Sequence, residues 1–284
     1  MPMSSNPFFI SAQELEGELG SPDLRIVDSS WYLPAMNRDP KAEFAENRLP
    51  GAVYFDIDDI ADKNSDLPHM LPSPEAFGEA MGRLGLSEND RIVVYDGPGL
   101  FSSARGWWSL WVMGARNVRI LEGGMDGWKK EGRPLETGEP AHPRPASFQT
   151  NFSAGRVRDF DYMLKNLKNG TTIVLDARPY GRFIGQDPEP RPGLRSGHMP
   201  GARSMPAIDL VRDGRLLPKE ELRILLEDND VKPGRHVTTT CGSGATAAIL
   251  TLALETIGHG DHSLYDGSWA DWGSRPNAPV AIWK

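Results

Sequence analysis

The chain holds a single cysteine, Cys241, and the turn around it is the stretch most suited to chemistry among the 284 residues. Cys241 follows a β-like run, His236 to Thr240, and a helical pattern starts near Ala245, so the turn reads Cys241-Gly242-Ser243-Gly244-Ala245-Thr246. Glycines let a backbone curl so that several amide N–H groups face inward, and a following helix N-terminus adds about half a positive charge. Both effects favour a thiolate, and hence a nucleophile. An ordinary cysteine with a pKa near 8.5 is only about 3% ionised at neutral pH. A lone cysteine is more often a small buried hydrophobe. Its place at the carboxyl end of a strand in an α/β pattern, where ligands bind, argues the other way.

Other chemistries fit the same residues less well. Gly242 to Ala247 matches the G-x-G-x-x-A dinucleotide fingerprint, with Asp261 and Asp266 bracketing the distance at which an acidic residue meets a ribose. Three threonines in the preceding strand and the motif's position near the chain's end leave little room for a nucleotide fold. A phosphatase loop needs an arginine to close on phosphate, and residues 242–249 contain none. Hydrolysis by cysteine needs a histidine base, which the spacing of the six histidines leaves open.

The elements that must position this turn are written twice. Leu24 to Asp28 recurs as Thr172 to Asp176, and Pro50-Gly51-Ala52 as Pro200-Gly201-Ala202. Ile92 to Gly97 recurs as Val237 to Gly242, and Gly123 to Trp128 as Gly267 to Trp272, the offsets running from 144 to 150 residues. A register kept in order at that period means duplication of a whole domain. Asp96 then occupies the place of Cys241, so one half reads as catalytic and the other as retired. Within each half, short β-branched runs alternate with helical patterns, which predicts a mainly parallel central sheet flanked by helices. Helices are predicted over Ala12–Leu19, opened by a Ser11/Glu14 capping box, and over Pro74–Leu84 and Pro218–Leu226. Two more span Ala104–Met113, with Trp107, Trp108 and Trp111 in the core, and Ala245–Ile257, closed by Gly258. Domains are expected at 1–137 and 154–284, joined by a linker at 138–153, where Gly138, Pro140, Pro143 and Pro145 interrupt any periodicity.

Composition narrows the partners. With 39% hydrophobic and 25% charged residues the chain has the balance of a soluble globular protein. A formal charge of -8 disfavours nucleic acid and requires a local basic cluster for any anionic substrate. One cysteine excludes an intramolecular disulfide and an all-cysteine zinc site. No apolar run approaches the roughly 20 residues that cross a bilayer, and Met1 to Ile10 lacks the pattern of a signal peptide, so a cytoplasmic location without a membrane partner is expected.

The tandem halves, the Asp96/Cys241 asymmetry and the Cys-Gly-Ser-Gly-Ala-Thr turn together resemble the two-domain rhodanese-type sulfurtransferases, most closely those that use 3-mercaptopyruvate. The resemblance covers nearly the whole chain and implies an α/β fold of two tandem rhodanese-like domains, the first catalytically inactive. Thiosulfate-using members carry basic residues just after the cysteine, where this chain has neutral Gly242, Ser243 and Gly244. Ala245 replaces the valine usual in the mercaptopyruvate loop. By the same resemblance Cys241 accepts sulfur as a persulfide, and Gly242, Gly244, Ala245 and Thr246 line the substrate. Arg182 and Arg191 hold the substrate's carboxylate and keto oxygen, a task that suits a planar guanidinium. Asp58, in Phe55-Asp56-Ile57-Asp58, His69, in His69-Met70-Leu71, and Ser243 form a relay drawn from both domains, with the catalytic cleft between them. His198 and Asp176 read as structural. The implied reaction moves sulfur from 3-mercaptopyruvate through Cys241 to a thiol such as thioredoxin, or to cyanide, and releases pyruvate with no metal or organic cofactor. Two other functions stay open: thiosulfate to cyanide transfer, and a sulfur-relay binding module without turnover.

Overall fold

In the first half five short apolar segments form a parallel sheet: β1 (Phe9–Ile10), β2 (Leu24–Asp28), β3 (Ala52–Tyr54), β4 (Arg91–Tyr95) and β5 (Asn117–Leu121), in the order β1-β5-β4-β2-β3. Helices α1 (Ala12–Glu18), α2 (Pro40–Glu46), α3 (Ile57–Ile60), α4 (Pro74–Arg83), α5 (Ser103–Val112) and α6 (Gly124–Lys130) connect and cover it. The second half repeats the plan with β6 (Val157–Arg158), β7 (Thr172–Asp176), β8 (Arg203–Ser204), a two-stranded ribbon of β9 (Val211–Arg212) and β10 (Arg215–Leu216), then β11 (His236–Thr240) and β12 (His262–Tyr265). Its parallel sheet runs β6-β12-β11-β7-β8, the same order station by station. Its helices are α7 (Phe160–Asn169), α8 (Tyr180–Ile184), α9 (Lys219–Asp228), α10 (Ala247–Ile257) and α11 (Ser268–Trp272). The expected α/β architecture of two parallel sheets flanked by helices is what the chain adopts. This computed structural model describes residues 6–283.

The chain divides into two compact bodies. One comprises the residues up to Asp62, Leu71–Ser153 and Asp213–Arg215. The other comprises Lys63–Met70, Ala154–Arg212 and the residues from Leu216 onward. The segment carrying His69 therefore belongs with the second sheet, although its sequence lies within the first half.

Local chemistry explains most element ends. The Ser11 side chain accepts the Glu14 amide at 3.2 Å, but the Glu14 carboxylate pairs with Arg119 at 2.6 Å, so only one side of the capping box forms. The glycine stop at Gly258 is left-handed, with φ 84°. Helix α10 begins at Ala247 rather than Ala245, because the two preceding residues complete the cysteine turn. Trp107 and Trp108 are buried as expected, whereas Trp111 is partly exposed and stacks on Trp107 with ring centroids 5.5 Å apart. Trp111 shares the helix face of Trp107 and Trp108, one turn on, but is only partly covered. The three threonines of β11 are each satisfied: Thr238 by Ser263 at 3.0 Å, Thr239 by Thr251 at 2.9 Å and Thr240 by Ser268 at 3.3 Å. No described helix is long and apolar enough to cross a membrane.

Candidate active site

Strand β11 delivers Cys241 into the turn that leads to α10. Only 2% of Cys241 is exposed, while Gly242 and Thr246 of the same turn are partly exposed. The turn is fastened from below by α11: the amides of Trp269 and Ala270 donate to the carbonyls of Cys241 and Gly242, each at 2.9 Å. Cys241's own amide donates to Ser268 Oγ at 3.2 Å, and that hydroxyl donates in turn to the Tyr265 carbonyl at 2.9 Å. Ser268 holds this place at φ 50°, a left-handed conformation uncommon for a residue with a side chain. Gly244 supplies the other left-handed residue, at φ 80°. Among the described residues, the amides of Gly242, Ser243, Ala245, Thr246 and Ala247 donate to no protein acceptor. Such a row of unpaired N–H groups at a helix start binds anions.

The first half contains the proof of principle. Asp96 follows β4 as Cys241 follows β11, and the amides of Met125 and Asp126 fasten its turn in the same way, at 2.9 and 3.0 Å. Here the anion is built in: the Asp96 carboxylate accepts the amides of Gly99, Phe101 and Ser103 at 2.7, 2.8 and 2.7 Å. The corresponding turn in the second half opens on a short thiol instead, and the amides of Gly242, Ser243, Ala245, Thr246 and Ala247 have no such carboxylate.

Arginine 182, on α8, stands at the edge of this turn. A Cβ placed on Gly242 would lie 3.0 Å from Arg182 Nη2. That nitrogen also meets Glu189 Oε2 in a close charged contact, while Arg182 Nε is buried without a partner. The Glu189 carboxylate is shared, its Oε1 accepting from Arg178 Nη1 at 2.7 Å. Arg178 in turn grips Asp176 through Nε at 3.1 Å and Nη2 at 2.7 Å, and donates to the Gly197 carbonyl at 2.8 Å. Asp176, Arg178 and Glu189 are fully buried as side chains, so they satisfy one another. Arg191, two residues beyond Glu189, is partly buried in the same loop.

His69 is buried, with φ 61°, and its Nδ1 lies 3.0 Å from Ser243 Oγ. Two of the three expected relay residues thus meet across 174 positions of sequence. Asp58 belongs to the first body, on α3, where its Oδ2 accepts from Trp31 Nε1 at 3.0 Å. His198 stacks on Phe183 at 4.0 Å and bonds its carbonyl at 2.8 Å, and burial lowers its pKa, which suits a neutral packing residue. The sequence reading passed over Arg178, Glu189 and Ser268. Asp176 followed two residues later by an arginine, where the first repeat has Asp28 and Ser30, was the available signal for the first two. Among the described residues no group of three His, Cys, Asp or Glu side chains is placed to hold a metal ion.

Comparison with known proteins agrees with this geometry. Residues 11–131 and 159–275 each match the rhodanese-like domain. The chain is 39% identical over 277 residues to the 3-mercaptopyruvate sulfurtransferase of Escherichia coli strain K12, covering 97% of this chain and 98% of the relative. It is 40% identical over 271 residues to the thiosulfate sulfurtransferase of Bos taurus, covering 94% and 90%. The crystal structure of SseA from Escherichia coli superposes with a TM-score of 0.85 at 36% identity, over 92% of this chain and 98% of that one. With the order of both sheets, the paired cysteine and aspartate turns and these matches in agreement, the chain belongs to the rhodanese-like family of sulfurtransferases, in its tandem two-domain form.

Proposed function

We propose that this sulfurtransferase takes sulfur from 3-mercaptopyruvate onto Cys241 and passes it to a thiol. Relatives that use mercaptopyruvate and thiosulfate stand at nearly equal identity, so overall likeness does not choose the donor. The observation that carries the choice is the turn itself: unpaired amides, no basic side chain from Gly242 to Thr246, and one guanidinium, Arg182, at its edge. That set suits a carboxylate of single charge better than a dianion, which would favour several cations.

In the first step the Cys241 thiolate attacks the donor's sulfur and the carbon–sulfur bond breaks. Its electrons pass to carbon, which takes up the proton lost by the donor thiol, and pyruvate leaves. Ser243, bonded to His69, is placed to carry that proton, while Arg182 and Arg191 hold the carboxylate and keto oxygen. Backbone amides of the turn then shelter the anionic persulfide, as their counterparts shelter the Asp96 carboxylate. In the second step an acceptor thiolate attacks the outer sulfur, the sulfur–sulfur bond breaks and the Cys241 thiolate returns. Since Cys241 is the sole cysteine, the acceptor must be another molecule, such as a small thiol or thioredoxin. A reducing, cytoplasmic setting supplies such thiols and keeps Cys241 reduced.

Incubation with 3-mercaptopyruvate should add one sulfur atom to the Cys241 peptide, read by mass spectrometry without reductant, with pyruvate released in equal amount. Pyruvate released while Cys241 stays unmodified would refute the scheme. Thiosulfate is the second reading, favoured by the Bos taurus relative, and a kcat/KM for thiosulfate above that for mercaptopyruvate would establish it.

A further inference from the structure

The geometry points to Glu189 as a positioning residue that sets the charge preference of the site for singly charged donors, an inference that rests on the sulfur-transfer reading above. Its side chain is 1% exposed, and its two oxygens are divided between Arg178 and Arg182. Arg178 is already committed to Asp176 and the Gly197 carbonyl, so the four charged groups Asp176, Arg178, Glu189 and Arg182 sum to zero. Glu189 therefore does two things to Arg182. It fixes one guanidinium nitrogen beside Gly242, leaving the unpaired Nε for a ligand, and it cancels much of the positive charge that a ligand would feel.

The first half supports this as a built arrangement. A Cβ on Gly97, the counterpart of Gly242, would lie 3.2 Å from Arg38 Nη2, and Arg38 is held by Glu43 through Nε at 2.8 Å and Nη2 at 2.6 Å. An arginine beside the glycine that follows the central strand, restrained by a glutamate, occurs in both halves although the local sequences and spacings differ. In the first half Tyr32 crowds the same glycine and also donates to Glu43 at 3.0 Å, which leaves that copy closed.

The Coulomb attraction of a donor scales with its charge, so a thiosulfate dianion gains more than a mercaptopyruvate monoanion when the buried negative charge is removed. E189Q, which keeps the shape and an accepting oxygen, should raise the ratio of kcat/KM for thiosulfate over mercaptopyruvate about tenfold. The change should come mainly from the KM for thiosulfate. E189D retains the charge but shortens the tether, so it should raise KM for both donors several-fold, with kcat and the ratio near the wild-type values. An unchanged ratio in folded E189Q overturns the proposal, as does an E189D enzyme whose KM values match wild type; the latter decides even if E189Q does not fold. If the wild-type protein forms no Cys241 persulfide with either donor, the sulfur-transfer reading itself fails. If the persulfide forms, the variants judge Glu189 alone.

Discussion

Asp96 opens its turn with a carboxylate that takes three backbone amides, where Cys241 opens the equivalent turn with a thiol and the amides of Gly242, Ser243, Ala245, Thr246 and Ala247 donate to no described protein acceptor. The two halves thus share one turn, closed in the first by its own carboxylate and carrying a thiol in the second. Because Asp96 is wholly buried, D96A would strand three N–H groups away from water. Loss of about 2 to 4 kcal/mol in unfolding free energy is expected, measured by urea titration. D96N should fall between, since its amide oxygen still accepts but its NH₂ faces a donor. A D96A protein as stable as wild type would mean that the carboxylate is not held as described.

His69 sits in the left-handed region, where asparagine is tolerated far better than most residues. H69N therefore removes the imidazole with little backbone penalty and isolates its chemistry. If Ser243 and His69 manage the donor's proton, H69N should lower kcat/KM with mercaptopyruvate by about 10- to 100-fold. The melting temperature should change little, and the persulfide should still form given time. S243A should give a similar fall, and H69N/S243A no more than either alone. Additive losses would show that the two act separately.

How much of this could be read from the residues depends on how local each signal is. The parallel sheets and the doubled plan were legible because β-branched runs and matched segments repeat in order. Cys241 was legible from the glycines beside it and from the aspartate at its counterpart. The pairing of His69 with Ser243 joins residues 174 positions apart, so it came from family likeness rather than from spacing. Glu189 was hidden for a similar reason. A glutamate between two prolines reads as a solvated loop charge, and only folding shows it sealed between two guanidiniums. Trp111 shares the helix face of two buried tryptophans, and only the folded chain shows that part of its ring stays in solvent.

Asp28 and Asp176 end equivalent strands, and each accepts the amide two residues on, Ser30 at 2.8 Å and Arg178 at 3.0 Å. Arg178 also brings a guanidinium to Asp176, and Ser30 brings none to Asp28. Burial accordingly pushes the Asp28 carboxyl up to about 6, partly offset by its bonds to Ser30 and Tyr95. A folded-state pKa above the unfolded one means the native state binds the proton more tightly. The contribution to stability is then full below about pH 4 and is lost as pH rises toward 6, a difference of about 3 kcal/mol. D28N should abolish that slope and melt higher than wild type at pH 7, with the gap closing by pH 4. An equal gap at both pH values would show that Asp28 ionises normally.

Gly82, on α4, lies against the segment that leads toward the second half: its carbonyl accepts the Ala146 amide at 2.9 Å, and an added Cβ would stand 2.7 Å from the Ala146 oxygen. Gly17, on α1, has nothing within 4 Å of its Cβ position. Helix propensity alone favours alanine over glycine by about 1 kcal/mol at both sites. G17A should therefore stabilise by up to about that amount. G82A should destabilise in spite of the same gain, because the obstacle is backbone and cannot swing aside as a side-chain end could. It should also speed tryptic cleavage at Arg144, the exposed basic residue of the displaced segment. If G82A proved as stabilising as G17A, the linker would not be packed on α4 in solution, and the glycines of that helix would need another explanation.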